Sequence, residues 1–238
     1  MVQPDRPSAP EPTQHVVSPS TCSRSRPGRI SKAEAQLRHL RIIEAARDLF
    51  VDHGLAGVSF DAIARSANVA KRTIYLLYGS KEGLFIQVLQ NNVDAIAEQV
   101  RSTRMASRTL KGALISIALN YFAAIDNPAT LALYRMAIGE CARIPDKARH
   151  AINIYGQESA QGIISGLLRG IEEKGMVTFH AREDFVQLFM ELILAPNFYH
   201  LLVGEPGPLF NRTDTEKRVQ LLLKAAVDDL YSIPTPDA

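Results

Sequence analysis

The chain has 238 residues, 46% of them hydrophobic and 22% charged, which suits one or two domains with a substantial core; two widely spaced cysteines, Cys22 and Cys141, exclude a disulfide or metal framework. A formal net charge of +2 argues neither for nor against a nucleic-acid partner, but 12 Lys and Arg against 8 Asp and Glu lie in residues 1–85, and 15 against 17 in the remainder, so the basic excess is local. No run of 18 apolar residues occurs and the N-terminus lacks the apolar core of a signal peptide, so a cytoplasmic location without a membrane partner is expected.

Residues 1–29 carry six of the 13 prolines in residues 1–28 alone and almost nothing to bury, a composition that cannot offset the entropy of ordering. They are expected to form a disordered tail, either a solvated segment without a role or a basic arm in which Arg24, Arg26 and Arg29 follow a DNA backbone. Residues 30–84 read as a compact three-helix unit that runs into a fourth helix. Ser31 and Glu34 form a capping box with Ile30 as its staple, so the first helix starts at Lys32 and closes at His53-Gly54, where a glycine can take positive φ. Ser59 caps a second helix whose apolar face is Phe60, Ile63, Ala64 and Ala67. Asn68, which tolerates the left-handed region, turns the chain at Ala67-Asn68-Val69-Ala70.

The third helix, Lys71 to about Tyr78, presents Ile74, Leu77 and Tyr78 inward and Arg72 and Leu76 outward, with Thr73 and Tyr75 on the flanks. Its first turn holds two cations, which oppose the helix dipole unless an anion arrives there. Ser80 and Lys81 repeat that arrangement at the next helix. The pattern is a helix-turn-helix that reads DNA. Lys81, Thr73 and Tyr75 are assigned to phosphates and Arg72 and Leu76 to bases; the alternative makes Arg72 a phosphate clamp and Lys71 the base reader. The helix from Lys81 runs through Val88, Leu89, Val93, Ile96 and Val100 to about Arg104.

Residues 85–238 show helical periodicity and no alternating strand pattern, so the fold class is all-α. Helices are expected near 108–126, 129–143, 147–174, 182–203 and 213–232, with Pro196 kinking the fourth of these. Tyr121, Phe122, Tyr134, Met136, Glu140 and Tyr155 cluster along the middle helices as a candidate small-molecule pocket. Arg135 in the same segment must pair, for example with a carboxylate of a neighbouring helix, or meet a ligand. Gly162, Gly166 and Gly170 recur every four residues beside Ile163 and Leu167, a face suited either to a homodimer contact or to packing within one subunit. No catalytic or cofactor motif is present: the six histidines lack ligand spacing, His39 and His53 are placed on the surface of the first helix, and neither GxSxG nor GxGxxG occurs.

The run Ile43-Glu44-Ala45-Ala46, Leu49-Phe50, Gly54, Ser59, Ile63-Ala64, Ala67, Val69, Lys71, Thr73-Ile74-Tyr75 and Lys81-Glu82 with Leu84-Phe85 resembles the tetracycline-repressor (TetR) family of bacterial transcriptional regulators. Asn68 stands where that family usually has Gly, Ala70 where a capping Ser or Thr is common, Leu76 and Leu77 where polar residues are frequent, and Tyr78 where Phe is usual. The resemblance implies a homodimer on a palindromic double-stranded DNA operator. It also implies a helical effector-binding and dimerisation domain over 85–238, and release, most often of a repressor, by a small apolar effector. The runner-up is a sequence-tolerant architectural DNA-binding protein without an effector.

Overall fold

A computed structural model describes residues 31–102, 109–140, 160–226 and 229–233. The capping box forms as expected: the Ser31 hydroxyl accepts from the Glu34 N–H at 3.1 Å and the Glu34 carboxylate accepts from the Ser31 N–H at 2.9 Å, opening α1 (Lys32–Gly57). The Ser31 N–H first, and then the Ser31 side chain, hold the Glu34 carboxyl below its ordinary pKa. Gly54 has φ 71° and ψ 166°, a conformation costly for any other residue, and it breaks α1 rather than ending it. One further turn carries Leu55 into the core.

Helices α2 (Phe60–Ser66) and α3 (Lys71–Tyr78) follow, joined through Asn68 at φ 52°. α4 (Lys81–Ser102) then leaves the N-terminal unit. Phe50 of α1 and Phe85 of α4 meet edge to face at 5.6 Å in the centre of that unit's core, with Ile42, Ile43, Ile63, Ile74 and Leu84 around them. Such an aromatic pair adds about 0.5–1.5 kcal/mol beyond its burial.

The second half is helical: α5 (Leu110–Ile125), α6 (Pro128–Glu140), α7 (160–172), α8 (Arg182–Phe189), α9 (Ala195–Leu202) and α10 (Arg212–Ala226). Its core packs Leu114, Ile117, Phe185, Phe189, Ile193 and Val219. Two expectations are corrected. The last helix, described from Arg212 to Ala226, does not reach 232, and Tyr231–Ser232 (β2) pairs antiparallel with Thr178–Phe179 (β1), a short ribbon that an all-helical reading omits. The Tyr231 hydroxyl reaches back to the Leu223 carbonyl at 2.9 Å and its ring meets Phe185, which fixes the ribbon on the core. The helix expected at 147–174 is seen from residue 160 to 172; its first part lies outside the described residues.

Pro196 acts through its missing N–H, as expected, and the helix around it is irregular. Met190–Leu194 forms a π-helical turn between α8 and α9. The Leu192 carbonyl, which the Pro196 N–H would have met in an α-helix, instead accepts from the Arg218 guanidinium of α10 at 3.1 Å. The 21 residues Arg182–Leu202 are long and apolar enough to cross a membrane by length and composition. Their apolar side chains divide between the core and an exposed stripe of Leu188, Leu192 and Tyr199, continued by Val203.

Candidate nucleic-acid interface and helical pocket

The N-terminal unit holds α3 by partners at both ends. Ser59 caps α2, accepting from the Ala62 N–H at 3.2 Å, and Ala70 gives α3 no side-chain cap. Ile74 is fully buried beneath α3. Outward, Arg72 is exposed and Leu76 is 74% exposed, as the helical wheel predicts. Thr73 is half-buried, and Tyr75 is half-exposed with its ring edge-on to Phe60 at 4.6 Å, so α2 fixes the direction of its hydroxyl. Leu77 departs from the prediction: it is 51% exposed, because the 60° it stands away from Ile74 takes it past the edge of the small core.

The three cations of the reader differ. Lys71 donates to the Asp61 carboxylate at 2.7 Å, an exposed pair whose hydrogen bond raises the lysine pKa. Lys81 donates to the Val58 carbonyl at 3.0 Å and to that of Ala56 at 3.4 Å, so it ties the start of α4 to the turn between α1 and α2. Arg72 makes no hydrogen bond or ion pair among the described residues. The sequence reading missed this division, since nothing in a one-dimensional pattern places Asp61 beside Lys71.

Two further residues escaped it. His39, assigned to the surface, sits within 2.8 Å (Nδ1) of the Tyr78 hydroxyl and ties α1 to the end of α3. Burial pushes that phenol up to about 12, so it stays protonated at neutral pH. A Cβ on Gly83 would lie 2.4 Å from the Tyr78 carbonyl oxygen, so α4 meets α3 closely enough to admit only glycine. A glycine in the first turn of a helix, where it is intrinsically unfavourable, was the available signal. Ser80 caps that turn, accepting from the Gly83 N–H at 3.1 Å.

In the second half a cavity of about 30 Å³ lies between α4, α5, α6, α7 and the π turn; Ile96, Ile117, Tyr121, Tyr134, Ile163 and Leu194 are among its walls. Of the six predicted pocket residues the fold brings two to it, Tyr121 and Tyr134. Phe122 points into the core of the second half, and Met136 packs on the core of the N-terminal unit instead. Glu140 is half-buried and away from the cavity wall, and Tyr155 lies outside the described residues. Arg135 finds its partner within the protein, though not a carboxylate: it donates to the Leu201 and Leu202 carbonyls at 2.7 and 2.8 Å, capping the end of α9.

On α7, Gly162, Gly166 and Gly170 are open: a Cβ on any of them would meet nothing within 4 Å. Ile163 and Leu167 turn partly inward, Ile163 to the cavity and Leu167 to the core. Among the described residues no group of three His, Cys, Asp or Glu could hold a metal ion.

Residues 42–88 match the family model of bacterial regulatory proteins of the tetR family, and residues 112–228 match that of the AefR-like transcriptional repressor C-terminal domain. The HTH-type transcriptional repressor SCO4008 of Streptomyces coelicolor is 43% identical over 60 residues, 25% of this chain and 31% of that protein. The HTH-type transcriptional activator FasR of Mycolicibacterium smegmatis is 38% identical over 64 residues, 27% and 29% of the two chains. The chain thus spans under a third of the length of these relatives. A crystal structure of a TetR-family transcriptional regulator from Mesorhizobium loti superposes with a TM-score of 0.68 at 19% identity, covering 84% of this chain and 98% of that one, which is a likeness of fold.

Proposed function

Since the chain belongs to the TetR family of bacterial regulatory proteins and is a DNA-binding transcriptional regulator, we propose that it is a cytoplasmic repressor that binds a palindromic operator as a homodimer and leaves it when a small, mostly apolar effector enters the second half. The observation that carries the reading is the outer face of α3, where Arg72 is exposed and unpaired among the described residues while both neighbouring lysines are engaged. An Arg pointing straight out can pair bidentately with guanine, and Leu76 beside it can touch a thymine methyl. Lys71, held by Asp61, suits the phosphate role better than base reading. Thr73, Tyr75 and Lys81 flank that face as phosphate contacts, and Ser59 stands at the N-terminus of α2.

The homodimer reading is supported by two surfaces without a partner among the described residues: the open glycine face of α7 and the apolar stripe Leu188, Leu192, Tyr199 and Val203. A twofold axis through them would put two copies of α3 on successive half-sites. Effector release follows the course of α4. Its start is fixed to the reader by Lys81 and by the close approach at Gly83, and its later turns, through Val93, Ile96 and Val100, wall the cavity. A ligand that opens the cavity must move α4 and with it the spacing of the two readers. Coupling of about 1–3 kcal/mol suffices for roughly 5- to 150-fold release.

Selection of bound duplexes from a random library tests the reading. Two symmetric half-sites about one helical turn apart are expected; uniform recovery of unrelated duplexes would favour the architectural alternative.

A further inference from the structure

The described walls of the cavity between α4 and α7 are apolar except for two phenol hydroxyls, and neither the Tyr121 nor the Tyr134 hydroxyl has a hydrogen-bond partner among the described residues. Burial raises both phenols, Tyr134 to about 12 and Tyr121 higher, and the nearby Tyr134 adds a smaller rise to Tyr121. Both therefore stand as O–H donors. Among the described lining residues there is no Lys, Arg or His, so a carboxylate or phosphate entering here would lose its hydration without gaining a counter-charge.

We propose that this cavity takes an uncharged, mostly apolar ligand bearing one hydrogen-bond acceptor, a ketone or ester carbonyl, with the acceptor held by the hydroxyls of Tyr121 and Tyr134. The inference rests on the effector reading above and names the chemistry of its site. A carbonyl oxygen has two lone pairs for two donors. A hydrocarbon of the same shape would fill the walls and leave both hydroxyls as they are. Sites built to hydrogen-bond a group reject the analogue that lacks it far more strongly than they distinguish one methylene. At about 30 Å³ the space suits roughly two waters, so the ligand enters by parting the walls, and the π turn that carries Leu194 is where the helical ladder is already interrupted.

Three probes of nearly one shape separate the possibilities in the full chain: acetophenone, ethylbenzene and benzoate, titrated calorimetrically. Acetophenone is expected to bind at least tenfold more tightly than ethylbenzene, with benzoate weaker still. Tyr121→Phe and Tyr134→Phe remove only an oxygen each. Each is expected to cost acetophenone at least fivefold, and together they should bring it within twofold of ethylbenzene, whose own affinity stays unchanged. Benzoate binding as tightly as acetophenone, a ketone preference that survives the double substitution, or no binding of any of the three overturns the proposal. The same titrations on the chain bound to its selected duplex test the effector reading separately. Tyrosine-dependent ketone binding that leaves DNA affinity unchanged keeps this assignment and removes that reading, and release by benzoate alone does the reverse.

Discussion

The two halves of the molecule differ in what most of their polar side chains do, although each leaves buried nitrogens unpaired among the described residues, Arg38 Nε in the first and Arg182 Nε and Asn197 Nδ2 in the second. In the N-terminal unit the side chains that orient α3 meet specific partners within it: Ser31 with Glu34, Ser59 with Ala62, Tyr78 with His39, Ser80 with Gly83 and Lys81 with Val58. In the second half several polar groups stay open. The hydroxyls of Tyr121 and Tyr134 on the cavity wall make no hydrogen bond among the described residues, the buried Asn197 uses its carbonyl oxygen on the Phe210 N–H but leaves its amide nitrogen unpaired there, and a π turn interrupts the apolar stretch Arg182–Leu202. A rigid reader with an exposed arginine is what base recognition requires, because the reading side chain must arrive already oriented. A core with unspent hydrogen-bonding capacity and an irregular turn is what a yielding pocket requires.

This contrast can be broken by substitution, and the largest effect is expected at the proposed dimer face. Gly166→Leu places a bulky side chain on an open helix face. If that face is the dimer contact, sedimentation will show monomers and operator binding will fall by several orders of magnitude while the melting temperature of the subunit hardly moves. An intact dimer of unchanged affinity would remove α7 from the interface. Next comes Gly83→Ala, whose Cβ would lie 2.4 Å from the Tyr78 carbonyl. Forcing the two helices apart should cost about 2 kcal/mol in denaturant melts and weaken DNA binding as well. Stability equal to wild type would mean that α4 is not clamped to the reader.

Lys81→Ala sharpens the division among the cations. Loss of the bonds to Val58 and Ala56 should lower stability by about 1 kcal/mol, and loss of a phosphate contact should reduce the salt slope by roughly one unit per contact, equally on all duplexes. A lower melting point with an unchanged slope would confine Lys81 to its structural bond. The smallest effect concerns pH. The Phe179 N–H, and then the Arg182 guanidinium, hold the Glu172 carboxyl below its ordinary value of 4.5. A depressed folded-state pKa contributes stability that is present above 4.5 and lost as the pH falls through the folded value. Glu172→Gln should therefore leave a shallower acid limb in thermal melts below pH 4.5, and identical limbs would contradict the pairing.

What was legible in the sequence follows the same line between the halves. N-caps, the Asn68 turn and the α3 wheel are local, and they stand where spacing puts them, apart from Gly54, which breaks α1 instead of closing it, and Leu77, whose exposure depends on how far the small core extends. Pairings across long sequence separations were not legible: His39 with Tyr78, Lys71 with Asp61, Arg135 with the α9 carbonyls and Arg218 with Leu192. The pocket suffered most. Aromatic residues on one helix diverge by 100° per position, so the neighbours Tyr121 and Phe122 face different surroundings, one the cavity and the other the core.

The central claim is that α3 reads bases through Arg72, and one measurement tests it directly: the affinity of Arg72→Ala for the selected operator and for a scrambled duplex, across a salt series. The account predicts a loss of about 1–3 kcal/mol per half-site on the operator, relaxed preference at one base pair and a smaller loss on the scrambled duplex. Equal losses on both would contradict it and make Arg72 a phosphate contact.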